Sequence, residues 1–217
     1  MARFDLNKGE RFQLKKSEGL SKIQINLGWK SGADLDACAF LLGADGVIVE
    51  DADFVYYNSE NRCNPETQSI EPFDRAKFGN KKNWRSETIP VSKDGSVVGS
   101  ADDLGDGDDD GAEDAGEEMH VILDKVSPKI TEIVFCVTIY HGDENGTTFG
   151  KVRDPFISVV NEDDDEELCR YNLKENFANE TAVVAGSLIC DEEGEWSFEA
   201  VGKGYEGGMQ TLIDIYA

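Results

Sequence analysis

The chain has 217 residues, 39% of them hydrophobic, enough to bury a sizeable core within one domain. Its 45 Asp and Glu stand against 21 Lys and Arg, a net charge of −24 with a pI near 4.3. A field of that sign repels phosphate backbones and anionic lipid surfaces, so neither nucleic acid nor a membrane is an expected partner, and multivalent cations are the natural counter-charges.

From the N-terminus, MARFDLNKGERFQL has no apolar stretch behind its basic residue, so no signal peptide is expected. No run of 18 apolar residues follows, so no transmembrane helix is expected either. Period-two alternation then dominates. Ile23, Ile25, Leu27 and Trp29 point one way, with Gln24, Asn26 and Gly28 between them. Ala37–Leu42, Val47–Val49 and Phe54–Tyr57 read as strands, and Gly43-Ala44-Asp45-Gly46 is a hairpin signal between the first two.

Residues 59–98 break the rhythm with few apolar runs, and between Asn61 and Lys93 they carry seven basic and four acidic residues. This stretch, RAKFGNKKNWR included, is a locally positive insert in a negative protein. Residues 101–118 hold ten Asp or Glu, several Gly, and no Lys or Arg. Beyond them His120–Leu123, Ile133–Ile139, Phe156–Val160, Leu168–Leu173, Ala182–Ile189 and Trp196–Val201 read as strands. The acidic run EDDDEE at 162–167 falls where a solvated hairpin turn belongs. Met209, Leu212, Ile213 and Tyr216 follow helical spacing, so a short helix closes the chain and packs on the strands. About ten strands and one short helix predict an all-β, two-sheet sandwich forming a single domain over 1–217.

The acidic segment reads as a metal site. Calcium takes six to eight hard oxygen ligands, and ADDLGDGDDDGAEDAGEE offers carboxylates on a backbone that glycine lets fold around an ion. Asp106, Asp108, Asp110, Gly111 and Glu117 even match the written EF-hand loop. The flanks do not: SVVGSADDLG is glycine-broken and MHVIL is strand-like, whereas an EF-hand needs a helix on each side. Asp34 and Asp36 share a strand face just before Ala37, and Asn58 ends the aromatic run with a neutral carbonyl. Two like charges at 4 Å repel by about 4 kcal/mol at an effective dielectric of 20, so acids brought together call for a counter-ion. A solvated acidic loop is the alternative reading.

GADLDACAFLLGADG, DADFVYYN, FGKVRDPFISVVN, LCRYNL, ETAVVAGSL and VGKGYEGGMQTL resemble, in that order, the segments of TerD-domain proteins. The resemblance runs from about residue 3 to 216. It implies a β-sandwich with two closely spaced calcium ions, held by Asp34, Asp36, Asn58 and members of 102–118. Within that loop Asp102, Asp103, Asp106, Asp108, Asp110 and Glu117 are the ligands implied, although the family's G-D-N-x-T-G pattern is replaced here by a longer acidic sequence without Thr. The resemblance also implies a role in cytoplasmic stress resistance, against tellurite, phage or chemical challenge.

No catalytic arrangement is legible. Gly202-Lys203-Gly204-Tyr205-Glu206-Gly207 fits the dinucleotide fingerprint, but the βαβ unit that motif requires is missing, and a glycine-rich strand-to-helix turn is expected. His120 and His141 belong to no Ser/His/Asp or Cys/His set. Cys38, Cys63, Cys136, Cys169 and Cys190, several of them in apolar runs, predict buried free thiols in a reducing compartment, the cytoplasm. The expectation is a non-enzymatic calcium-binding interaction protein; its basic insert either forms the surface that meets a protein partner, folds against the chain's own acidic loops, or is a surface loop with no partner. A nucleotide-like small-ligand receptor, or an enzyme using a pocket not visible in the sequence, is the alternative.

Overall fold

The structure, a computed structural model, describes residues 3–16, 19–30, 34–59, 61–64, 88–100, 115–175 and 177–217. In chain order the strands are β1 (Phe4–Leu6), β2 (Arg11–Leu14), β3 (Lys22–Lys30), β4 (Leu35–Leu42), β5 (Phe54–Val55), β6 (Arg62–Cys63), β7 (Ile89–Pro90), β8 (Val97–Gly99) and β9 (Ala115–Ile122). They continue as β10 (Glu132–Ile139), β11 (Arg153–Asn161), β12 (Glu166–Asn172), β13 (Ala182–Cys190) and β14 (Trp196–Tyr205). A one-turn helix α1 (Gly142–Asn145) follows β10, and α2 (Gly208–Tyr216) closes the chain.

Two six-stranded sheets form the sandwich, in the orders β1-β12-β11-β3-β9-β8 and β2-β14-β13-β10-β4-β5. Within them β1 runs parallel to β12, and the other neighbours are antiparallel. The alternation predicted for β3 holds: Ile23, Ile25, Leu27 and Trp29 are buried between the sheets, opposite Ile133, Phe135, Val137 and Ile139 of β10. Strand β10 is apolar on both faces because its other side is also covered. Val134 and Cys136 join Cys38, Phe40, Val184 and Leu212 in a second cluster, beneath α2. A central strand sandwiched twice reads as a continuous apolar run for this reason.

Several boundaries differ from the sequence expectation. Val47–Val49 is not a strand; Ile48 makes a single bridge to Leu42, although the Gly43–Gly46 turn forms, with Gly46 N–H donating to the Gly43 carbonyl at 3.0 Å. The aromatic strand stops at Val55, so Asn58 sits in a turn rather than at a strand end. Strand β9 begins at Ala115, inside the stretch read as an acidic loop, so Glu117 and Glu118 are strand residues. Strands β1, β2 and β8, and the two-residue β6 and β7, were not expected; the first three are short and lie at sheet edges, and none has a long alternating pattern. The EDDDEE run does form the β11–β12 turn, with Glu166 and Glu167 starting β12. Gly202 and Gly204 belong to β14, and Cβ atoms there would run into Tyr171 and Phe177; the fingerprint glycines make room for side chains, not for a pyrophosphate. Among the described residues no helix is long and apolar enough to cross a membrane.

Candidate metal centre

At one edge of the sandwich, β4 and β5 of one sheet come up against β8 and β9 of the other. Strand β4 is held by β10, with Asp36 opposite Thr138, and β9 is held by β3, with Glu117 opposite Leu27. Between them lies a small recess of about 20 Å³, bordered by Asp36, Tyr57, Pro90, Ser100, Glu117 and Glu118. Asp36 of one sheet and Glu117 and Glu118 of the other therefore border the same recess.

The segment 101–114 lies outside the described residues, and with it Asp102, Asp103, Asp106, Asp108 and Asp110. Strands β8 and β9 are antiparallel neighbours, pairing Val97 with Val121 and Gly99 with Met119, so the acidic segment joins adjacent strands. Ser100, its last described residue on one side, donates its hydroxyl to Glu117 Oε2 on the other. Both ends of the segment therefore emerge at the recess that Asp36 borders.

The remaining expected ligands are less convergent. Asp34 is exposed at the mouth of β4, where its carbonyl accepts the Tyr140 N–H at 3.0 Å. Asp34 and Asp36 lie on one face of β4 as expected, but it is the face of Cys38 and Phe40, away from the core between the sheets. Glu117 has the parity of Met119 and Val121, which face that core. Asn58 is half-buried and follows Tyr57 of the recess. Among the described residues no three His, Cys, Asp or Glu side chains converge closely enough to hold an ion by themselves.

Sequence reasoning missed the residue that fixes the Asn58 turn. Arg62 is fully buried. Its guanidinium donates to the Tyr57 carbonyl at 2.8 Å, to the Ser59 carbonyl at 3.4 Å, and to the hydroxyl and carbonyl of Thr88 at 2.6 and 2.7 Å. It grips both sides of Asn58 while tying together the two ends of the basic insert, where β6 pairs with β7. An arginine in a polar stretch carries no sequence signal for burial; five donors in one plane suit it to collecting several carbonyls. Ser100 and Tyr57 were missed likewise.

The polar residues that border the recess, among the described residues, are Asp36, Glu117 and Glu118 with Ser100 and Tyr57, all of them oxygen-bearing. Among the described residues neither a histidine nor a cysteine borders it. Such a set fits a hard cation such as calcium and not zinc or copper. The histidines lie elsewhere. His120 Nδ1 is 2.5 Å from Glu162, and that hydrogen bond raises its pKa despite partial burial; His141 Nδ1 is 2.8 Å from Glu144. All five cysteines are free thiols, and burial raises the pKa of Cys63, Cys136 and Cys169, the last to about 12.

Comparison with known proteins agrees with this architecture. The TerD domain model matches residues 1–216. General stress protein 16U of Bacillus subtilis (strain 168) is 35% identical, covering 97% of this chain and 95% of its own. Tellurium resistance protein TerD of Serratia marcescens is 33% identical with the same coverage. The crystal structure of a TerD homologue from Streptomyces coelicolor A3(2) superposes with a TM-score of 0.52 at 21% identity, over 90% of this chain and 96% of that one, and shares the fold. With the sandwich, the edge recess and the full-length match in hand, this chain belongs to the TerD domain family.

Proposed function

We propose that this protein is a calcium-binding, non-catalytic interaction module that acts in the cytoplasm in resistance to stress, tellurium compounds included. The observation that carries the calcium reading is the convergence at one recess of Asp36, Glu117 and both ends of the Asp- and Gly-rich segment 101–114. Asp34, Asp36, Asn58 and Glu117, with Asp102, Asp103, Asp106, Asp108 and Asp110, would hold the metal, two ions being the number the family resemblance implies. Calcium bound there supplies the positive charge that lets these carboxylates lie together. The stress role rests on the names of the relatives, a general stress protein and a tellurium resistance protein, which match over nearly their whole length.

The protein partner would be met by the basic insert, whose neck Arg62 fastens to the Asn58 turn. Charge reversal at Lys81, Lys82 and Arg85 that left every captured partner unchanged would remove that part of the reading.

Thermal unfolding with and without calcium tests the metal. A ligand at about 100 times its Kd adds roughly 2.7 kcal/mol per site. For a chain of this size that raises Tm by about 5–11 °C per site, and magnesium by much less. Asp36→Asn with Glu117→Gln should abolish most of the calcium response while leaving the chelated protein's Tm nearly unchanged. Identical melting with calcium and with chelator would refute the calcium reading.

A further inference from the structure

The walls of the metal recess come from separate parts of the chain. On one side the chain leaves β5 through the turn Tyr56–Ser59, closed by the Ser59 N–H donating to the Tyr56 carbonyl at 2.9 Å. The Ser59 hydroxyl tightens this turn, accepting the Tyr56 N–H at 2.9 Å and donating to the Phe54 carbonyl at 3.0 Å. Asn58 is its third residue. On the other side Pro90 of β7 borders the recess and lies against β8, where a Cβ added to Gly99 would stand 2.8 Å from the proline ring. Val91 bridges Val98, and β8 then leads to Ser100, which donates to Glu117.

Arg62, the first residue of β6, spans from one wall to the other. It donates to the Tyr57 and Ser59 carbonyls, at 2.8 and 3.4 Å, on either side of Asn58. It also holds the hydroxyl and carbonyl of Thr88, at 2.6 and 2.7 Å, directly before β7. Pro90 is its partner across the β6–β7 pair. The side chain is fully buried, beside a small apolar cluster of Cys63, Val91 and Val98. Burying a guanidinium is costly, and an aliphatic side chain of similar volume would fill that space without the cost. What only arginine supplies is a planar fork of donors in fixed directions, able to join two backbone segments at a set separation.

We propose that Arg62 is a positioning residue of the metal centre: it holds the Asn58 turn against the neck that carries Pro90 and, through β8, Ser100 and Glu117. The inference rests on the calcium reading and extends it, because Arg62, itself a cation, acts through Asn58 and is not a ligand. A turn fixed before the ion arrives has less freedom to lose on binding, so the clamp raises calcium affinity.

The test compares calcium titration calorimetry of the full chain, stripped with chelator, for the parent, Arg62→Lys and Thr88→Val. Arg62→Lys keeps the charge and loses the fork; Thr88→Val removes one acceptor and keeps the arginine. The calcium Kd should rise roughly ten-fold or more in Arg62→Lys, as when a residue behind a metal ligand is removed, and by a smaller factor in Thr88→Val. Leu212→Ala, in the cluster under α2, should lower Tm with the Kd unchanged. A second readout needs no metal: in chelator the Ser59 amide hydrogen should exchange roughly ten-fold faster in Arg62→Lys than in the parent, while β3 amides keep their rates. Thr88→Val carries both measurements if Arg62→Lys does not fold. A parent that binds no calcium would overturn the calcium reading and this one with it. A parent that binds, with a Kd shared by the variants, would overturn the positioning role alone. An equal rise in Leu212→Ala would also overturn it, as general destabilisation. Ser59 exchange unchanged by either variant would overturn the clamp whatever the metal does.

Discussion

Replacing Asp53 by Asn should stabilise the protein at alkaline pH and do nothing at acid pH. Asp53 lies in the short 3-10 turn that leads into β5 and is only 4% exposed. Its carboxylate accepts the Glu50 N–H at 3.2 Å in a reciprocal capping arrangement. Burial above all, and then the nearby charge of Asp94, pushes its pKa from 3.8 up to about 6, against the opposing pull of the Glu50 N–H and Lys93. For an acid, a raised pKa in the folded state means that the native protein holds the proton more tightly than the unfolded chain. The charged form therefore costs stability in full above pH 6, and the cost disappears as pH falls through 6 toward 3.8. At about 1.4 kcal/mol per pKa unit the shift corresponds to at most roughly 3 kcal/mol, and a cost of about 1–3 kcal/mol is expected after local relaxation. Asn keeps an oxygen for the Glu50 N–H and removes the charge. Circular-dichroism melting in chelator at pH 4, 6 and 8 should show Asp53→Asn matching the parent at pH 4 and exceeding it by roughly 2–12 °C at pH 8. A variant that melted at or below the parent temperature at pH 8 would refute the reasoning, because the Asp53 charge would then be stabilising.

The remaining predictions concern the helix and the histidine. Leu212, fully buried, is where α2 enters the outer cluster with Cys38, Phe40 and Cys136. Leu212→Ala should cost about 2–5 kcal/mol in urea unfolding and speed the labelling of Cys38 and Cys136 by a thiol reagent; an unchanged labelling rate would show that α2 does not shield them. His120 has its pKa raised by the hydrogen bond to Glu162, so that pair stabilises the fold below the unfolded histidine value and the increment is lost as pH rises through the folded one. His120→Gln should therefore lower Tm more at pH 5.5 than at pH 8.5, and an equal loss at both would indicate that the ring acts by packing.

Much of the architecture is written locally. The alternation of Ile23, Ile25, Leu27 and Trp29, and the doubly apolar run Ile133–Ile139, set which faces are buried before any contact is known. The helical spacing of Met209, Leu212, Ile213 and Tyr216 likewise marks the face that α2 lays on the second cluster. Such patterns are legible because a strand or helix repeats its geometry residue by residue. Where the local pattern is weak the reading stops: Glu117 looked like loop because its neighbours are acids and glycines, yet it pairs with Leu27 in β9. The parallel pairing of Phe4–Leu6 with Cys169–Tyr171 joins residues far apart in the chain, with no local mark on either.

The sequence by itself determined an acidic all-β sandwich with a carboxylate-rich segment, since composition and periodicity are properties of the chain. Only the tertiary structure decided that Asp36 of one sheet and Glu117 of the other border one recess, and that Arg62 clasps the Asn58 turn. Those neighbours are set by how two sheets pack and where their edges end. Packing of that kind is non-local, and it leaves no repeat for a sequence to display.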